Sequence, residues 1–537
     1  MTGTQRGLLR AAALIASITV LARLVGFART TTFGHTVGGG CVGAVYQTAN
    51  TVPNIVFDIV AGGILSALIV PMLAPAFAAG DREAVSRTVS ALLNWAMLIL
   101  LPMALVLTLA ARPIVELLLG SGQCSGAVDL GTRMLLVFVP QLIFYGVGVV
   151  IGGALQAGER FTWPALAPLL SSLTVIGAYL WYGQLAGVGR DAAGLPRTDE
   201  LVLSIGTSAG VVVLALCQLP ALRGLGIRYQ RTLRFPTGLA PAARRAALAG
   251  AFTLGAQELS TAVMLRLANQ DTATGTVVAV TQAQTVFLLP WAALSVPIAT
   301  SAFPRLSTLW DRDDRPAARR LVTGAARAVI ALSAVGAAVL IAVAEPIGNV
   351  VLQRGSGAHA AVAPSVVGFA FGLLGWGLVA LFARCLYAAR QVGVAARAQV
   401  AGQVVVVVAD IVLAVTVSAR HRGVALAIGN SIGVSVAAGL LVVAMYRHGL
   451  LDDIRRRTVD LARAVAVTAV AGVAGWTVGR MAEGRGVAVS VGWGLVAAAI
   501  ATAVAGALLA VADRELVGLL RARVRSGSAG GAAGGAA

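Results

Sequence analysis

Val52 to Arg87 reads VPNIVFDIVAGGILSALIVPMLAPAFAAGDREAVSR, an apolar run that opens on a proline and ends in a charged connector. A counterpart begins at Leu289, LPWAALSVPIATSAFPRLSTLWDRDDRPAARR, and sets Pro290 over Pro53 and Pro304 over Pro71. Each run exceeds the roughly 20 residues that cross a bilayer as a straight helix, so a bend or break is expected at Pro53 and at Pro290. Downstream, ARPIVELLLGSG from Ala111 matches AEPIGNVVLQRGSG from Ala344, and GALQAGERF from Gly153 matches RCLYAARQV from Arg384. Recurrence in the same order marks an internal repeat.

Apolar runs of spanning length, separated by charged or Gly/Pro-rich breaks, number fourteen. They lie near 8–28, 43–77, 86–111, 129–154, 163–187, 200–222, 246–268, 273–303, 322–352, 363–389, 396–418, 423–446, 461–480 and 487–512. The fold expected is an all-α polytopic membrane protein of about 14 transmembrane helices. Helices one to six recur as seven to twelve, and an even offset keeps their orientation. Two six-helix lobes related by a parallel repeat are therefore expected, with two extra C-terminal helices outside the repeat. The boundaries read are 1–235 for the first lobe and a basic linker, 236–450 for the second, 451–520 for helices thirteen and fourteen, and 521–537 for a flexible tail containing SGSAGGAAGGAA.

Of 537 residues, 58% are hydrophobic and 12% charged, with mean hydropathy +0.86. A soluble domain carries about 25% charged residues, so this chain lacks the polar surface a water-soluble fold needs. All 41 basic residues are arginine, and the net charge is +19. The absence of lysine beside abundant Ala, Val and Gly suits a GC-rich coding bias, so an arginine at any one position is not by itself a sign of bidentate recognition. A pI near 11.3 could suggest nucleic acid, but arginine retained in cytoplasmic loops explains it, and no nucleic-acid partner is expected. Arg6 and Arg10, the run from Arg223 to Arg245, the cluster from Arg305 to Arg320, Arg455 to Arg457, and Arg521, Arg523 and Arg525 fall on one side. Only isolated residues such as Arg112, Arg190, Arg354 and Arg480 fall on the other. The positive-inside rule then puts both termini in the cytoplasm, with no cleavable signal peptide before Arg23.

The four cysteines show no metal or redox spacing and read as small apolar fillers. Cys41 and Cys124 both fall in outer loops, which leaves their pairing open. No Walker motif, nucleophile with its base, or Cys/His metal spacing is present, so neither ATP hydrolysis nor a resident cofactor is expected. His35, His359, His421 and His448 fall in loops or at helix ends. The connectors GDREAVSR from Gly80 and DRDDRPAARR from Asp311 are amphipathic and suit the headgroup surface.

LARLVGFARTTTFG from Leu21 carries an R-x-x-G-x-x-R turn, and TANTVPNIVFDIVAGGILSALIVPML from Thr48 carries a P-N…G-x-x-S…P second helix. FLLPWAALSVPIATSAFPRLS from Phe287 carries a Pro, an S-V segment and a P-x-L-S end. These residues resemble the MurJ/MviN family of lipid II flippases in the MOP transporter superfamily, and the resemblance covers nearly the whole chain. It implies movement of lipid II, an undecaprenyl diphosphate bearing a disaccharide pentapeptide, from the inner to the outer leaflet of the bacterial cell membrane by alternating access. The implied partners are that precursor, membrane lipids and cell-wall synthesis proteins. The alternatives are export of another lipid-linked oligosaccharide or a cationic drug, or a non-transporting cell-wall scaffold.

The resemblance implies that Arg23 and Arg29 engage the precursor's diphosphate, which suits the arginine fork; Arg29 also reads as an interfacial anchor. Pro53 and Asn54 form the helix-two break, whose freed backbone groups can line a cavity. Asp58, an intramembrane carboxylate, either pairs with Arg23 or exchanges partners as the cavity opens. The chain departs from the family at Phe57 and Asp58, which stand for consecutive arginines, at Gly62, which stands for a glutamate, and at Thr285, which stands for a helix-eight arginine. In the second lobe Glu258, Asp410 and Asn430 are candidates for Na+ or H+ coupling, and a structural network of the carboxylates with Arg266 or Arg384 is the rival reading. Helices thirteen and fourteen, almost entirely Ala, Val, Gly and Leu, suit either a groove for the lipid tail or ordinary close packing.

Overall fold

The computed structural model describes residues 3–120, 124–234, 241–270, 275–354, 356–451 and 454–512. The expected tail at 521–537, with Arg521, Arg523 and Arg525, lies outside the described residues. All regular elements among the described residues are helical. In chain order they are α1 (Gly3–Thr36), α2 (Cys41–Phe57), a π-helical segment (Asp58–Leu65), α3 (Ser66–Ala78), α4 (Arg82–Leu109), α5 (Ala111–Leu119), α6 (Ala127–Phe138), α7 (Gln141–Ala157), α8 (Thr162–Leu185), α9 (Arg197–Leu216) and α10 (Leu219–Arg223). They continue as α11 (Pro241–Ala268), α12 (Thr276–Pro290), a second π-helical segment (Trp291–Ser295), α13 (Val296–Asp311), α14 (Arg315–Val351), α15 (Gly357–Ala370), α16 (Leu373–Ala388), α17 (Val392–Thr416), α18 (Arg422–Arg447), α19 (Ile454–Gly479) and α20 (Val487–Ala512).

Ten stretches among the described residues are long and apolar enough to cross a membrane, and a bent pair, α15 with α16 at 45°, makes an eleventh. The chain is thus an all-helical, multi-pass membrane protein. The remaining expected spans, 8–28, 43–77 and 246–268, fall on α1, on α2 through α3, and on α11. The two overlong runs are long for a visible reason. Each joins two α-helices through a π-helical segment, beginning at Asp58 after the internal Pro53 and at Trp291 directly after Pro290. A π turn carries one extra residue per turn and is often kept where a helix must present side chains off its regular face.

The aligned repeat segments share backbone chemistry. Glu159, Asp313 and Arg390 are the non-glycine residues with left-handed backbone among those described. Glu159 and Arg390 occupy the same place in GALQAGERF and RCLYAARQV, and Asp313 occupies the place of Gly80, whose φ is +67°. Each turn closes with the same six-to-one hydrogen bond. Asp81 N donates to Ala76 O at 3.0 Å and Asp314 N to Leu309 O at 3.0 Å; Arg160 N donates to Leu155 O and Gln391 N to Leu386 O, both at 2.7 Å. These are helix C-terminal motifs that bind carbonyls otherwise left over. The connectors then restart a helix alike, since Asp81 accepts from Ala84 N at 2.9 Å and Asp314 from Ala317 N at 3.0 Å.

Packing separates two compact units, one of Met1–Val286 with Val351–Val362 and Val407–Leu426, the other of Phe287–Val350, Ala363–Val406 and Ala427–Ala537. In the first, α1 packs on α8, α8 on α9, α2 on α6, α4 and α3 on α7, and the first π segment on α11. An extended strap, residues 228–234, runs along α4: Ser86 and Ser90 accept from Arg228 N and Gln230 N, while Asn94 and Trp95 donate to the carbonyls of Thr232 and Leu233. Cys41 and Cys124 form a disulfide across 6.3 Å between Cα atoms, which corrects their reading as fillers. A separation of 83 residues carries no hint of proximity; the packing of α2 on α6 brings the two helix starts together.

In the second unit α13 packs on α16, and α19 on α20. Ala338 and Ala342 of α14 meet Ala471 of α19 and Ala497, Ala501 and Ala505 of α20 in one buried cluster. Small side chains let helix backbones approach closely where lipid supplies no hydrophobic drive. The far faces expose Val465, Val470, Val473, Leu495 and Val511. Close packing inward and a smooth aliphatic surface outward therefore coexist on these two helices.

Candidate functional site

Arg29 is the centre of the polar structure within the first unit. It lies on the α1 face toward α8, with Tyr179 of α8, Tyr46 of α2 and Tyr145 of α7 within electrostatic reach. The Tyr46 hydroxyl meets the Tyr179 hydroxyl at 2.7 Å and the Thr207 hydroxyl of α9 at 2.8 Å. Phe33 packs against both Tyr46 and Tyr179, with centroids 5.4 Å away in each case. Four helices thereby fix one guanidinium in a cage of phenols, which supplies aromatic faces and hydroxyl partners but no negative charge. Composition offered little warning, because the chain has only seven tyrosines and the three that converge here stand far apart in sequence.

Tyr145 links the cage to the π segment. Its ring stacks on Phe57 at 4.6 Å, and it feels both Arg29 and Asp58. Asp58, half-buried, opens the π segment, and its N–H reaches the carbonyls of Asn54 and Ile55. Pro53 is buried within α2 and Asn54 half-buried one residue on. Glu258 of α11, only 6% exposed, lies within electrostatic reach of Asp58 and has no hydrogen-bond or ion-pair partner among the described residues. Gly62 explains the approach: a Cβ there would come within 3.3 Å of the Leu254 side chain on α11, so the glycine lets α11 lie close to the π segment.

The ion pairs expected from sequence are absent among the described residues. Arg23 is exposed on α1 beside exposed Leu21 and Leu24 and makes no contact with Asp58. The six-residue spacing from Arg29 is about 9 Å along a helix but turns Arg23 to another face. Arg266 does not pair with Glu258; its guanidinium packs against Gly120, where a Cβ would come within 2.6 Å. Arg384 donates to the Ala380 carbonyl of its own helix at 2.8 Å. Asp410, 1% exposed, has an Oδ1 with no partner among the described residues. Thr285 donates to Thr281 O at 2.9 Å and faces its own helix.

The buried carboxylate that is fully paired, Glu200, was not singled out by sequence. It receives Arg133 at 2.8 Å and also Arg197, and so anchors the start of α9. In the second unit, Asn430 accepts from Trp376 Nε1 at 3.4 Å. Trp376 packs edge-on to Trp291 of the second π segment, with centroids at 5.6 Å. Pro290 directly precedes that segment.

A further feature of the first unit is a backbone seal. A Cβ on Gly34 would overlap the Val351 carbonyl, one on Gly39 would overlap Ala358, and one on Gly275 would overlap the Gly39 carbonyl. Three separate segments thus meet main chain to main chain beside the Cys41 disulfide.

A multi-pass helical chain with an internal repeat, π-broken helices at corresponding prolines, and a few buried ionisable groups has the architecture of a polytopic membrane transporter. The solved structure titled "Lipid II flippase MurJ, inward closed conformation" superposes with a TM-score of 0.73 at 17% identity, covering 94% of this chain and all of that one. A multidrug resistance MATE family transporter of the MOP superfamily superposes at 0.64 with 16% identity, covering 82% and 98%. The family model described as "Lipid II flippase MurJ" matches residues 33–497, and the chain belongs to that family. Among curated relatives, the lipid II flippase MurJ of Burkholderia cenocepacia is 24% identical over 457 residues, 82% of this chain and 84% of that one. A probable lipid II flippase MurJ of Rhizobium meliloti is 26% identical over 376 residues, 68% and 67% of the two chains.

Proposed function

We propose that this chain flips lipid II from the inner to the outer leaflet of the bacterial cell membrane by alternating access, with Arg29 as the principal contact for the diphosphate. The observation that carries this is the phenol cage around Arg29. The guanidinium sits among phenols with no carboxylate among the described residues to neutralise it, as an anionic head group requires. Arg23, exposed on α1, meets the same head group as it approaches, while Asn54 and Asp58 line its path at the π segment. The two lobes, 1–235 and 236–450, rock about that site, and helices thirteen and fourteen, 451–520, guide the lipid tail.

Both termini belong in the cytoplasm on this reading. The arginine distribution supports it, and so does the disulfide, because a Cys41–Cys124 bond is favoured on the oxidising outer face. Coupling to Na+ or H+ through Glu258, Asp410 and Asn430 belongs to the same reading; Glu258 and Asp410 are buried carboxylates without a basic partner among the described residues, and buried charge needs one. The same carboxylates favour a second reading, export of a cationic cargo. The test is a strain whose own lipid II flippase is shut off and which carries this chain. Restored delivery of lipid II to the outer leaflet is expected; survival of drug challenge without restored delivery would favour the second reading.

A further inference from the structure

α17 and α18 are antiparallel spans joined by a short turn, so the start of α17 and the end of α18 emerge at one membrane surface. They touch closely in mid-span, where Gly402 meets Ala437 and Gly433 meets Val406. Toward that surface they diverge and leave a groove of about 430 Å³. Its polar end holds Arg397, Arg447 and His448, and its walls include Val394, Leu440 and Val443.

The polar side chains at this mouth are uncommitted among the described residues. Arg397 donates only its Nε, to Gly393 O at 3.3 Å, and neither Arg447 nor His448 has a side-chain hydrogen bond or ion pair among the described residues. Elsewhere on the surface the arginines do find carboxylates, as in Arg87 with Glu83, Arg315 with Asp313 and Arg390 with Asp311. Beyond the mouth the groove does not end in polar surface. Leu440 continues along α18 as exposed Val436 and Ile432 at helical spacing, and Arg397 continues along α17 as exposed Val404. Positive charge at the interface, apolar walls and an aliphatic track toward the bilayer centre match one kind of ligand.

We propose that this groove binds one acidic phospholipid, its phosphate between Arg397 and Arg447, its polar headgroup beside His448, and an acyl chain along Leu440 and Val436. Two arginines give phosphate oxygens charge-assisted hydrogen bonds, and basic pockets between transmembrane helices suit anionic headgroups. A free phosphate would use the arginines but gain nothing from Leu440 and Val443. A phosphatidylcholine would use the walls but would set its choline beside two arginines. The groove lies outside the Arg29 cage, so its occupancy is independent of the cargo reading.

The test is native mass spectrometry of the detergent-purified chain, titrated with phosphatidylglycerol, phosphatidylcholine or inorganic phosphate. One phosphatidylglycerol is expected to bind more tightly than the rest. Arg397→Gln with Arg447→Gln should weaken it about tenfold per arginine, and Leu440→Asn should weaken the lipid while leaving phosphate binding unchanged. If the double variant is not recovered folded, His448→Gln carries the same test with a smaller expected loss. Equal retention by wild type and variants, equal retention of phosphatidylcholine, or displacement of the lipid by millimolar phosphate would each overturn the proposal.

Discussion

Arg29 owes its position to tyrosines on three other helices, and this yields the sharpest single-residue expectations. Tyr179→Phe removes the hydroxyl that hydrogen-bonds Tyr46 beside Arg29, so lipid II delivery should fall while the ring packing against Phe33 keeps the protein folded. Loss of one neutral hydrogen bond is worth about 0.5–1.5 kcal/mol, or roughly two- to tenfold in head-group affinity. A flipping rate unchanged in Tyr179→Phe would show the cage to be structural only. Arg23→Ala should cost less than Arg29→Ala, because Arg23 stands exposed without a partner; a larger loss for Arg23→Ala would reverse their order of importance. Glu258→Gln should relieve an unpaired buried charge, raising thermal stability while changing the ion dependence of transport; lower stability with unaltered ion dependence would contradict that.

At the scale of elements, the strap and the seal make separate claims. Ser86, Ser90 and Asn94 recur every four residues on α4, so they form one polar stripe that holds 228–234. Arg228 and Arg231 are exposed, but their backbone is tied to α4; changing all three to alanine should free the strap and speed tryptic cleavage after Arg228 and Arg231 in inside-out vesicles, and an unchanged cleavage rate would show that the strap is held otherwise. Gly34→Val sets a side chain into the Val351 carbonyl, so it should hold the seal open and raise labelling of a nearby engineered cysteine at Ala358; unaltered labelling would refute the seal. Much of the element scale was legible in sequence. The repeat located both overlong runs through Pro53 and Pro290, and its connectors foretold turns that prove alike in hydrogen bonding at Asp81 and Asp314. What sequence could not give was the side-chain meeting of distant segments. The Tyr46–Tyr145–Tyr179 cage, the Cys41–Cys124 bond and the Glu200 anchor all depend on which helices are neighbours, and apolar periodicity is nearly uniform around helices that face lipid. The rotation that parts Arg23 from Asp58 was hidden for the same reason.

For the whole molecule, the excess of arginine is divided between loops and a small set within the spans. Within that set Arg29 is caged by tyrosines, and the carboxylates Asp58, Glu258 and Asp410 lack basic partners among the described residues. The departures at Phe57 and Gly62 fit this arrangement: Phe57 stacks on Tyr145, and Gly62 admits α11. On the proposed function, a site with fewer arginines than the resemblance implies rests on Arg29. The most direct measurement is the outer-leaflet accessibility of lipid II, read by an externally added lipid II-cleaving enzyme, in cells whose own flippase is shut off and which carry this chain or its Arg29→Ala variant. The account predicts restored cleavage with the chain and its loss with Arg29→Ala; no cleavage with either, or equal cleavage with both, would contradict it.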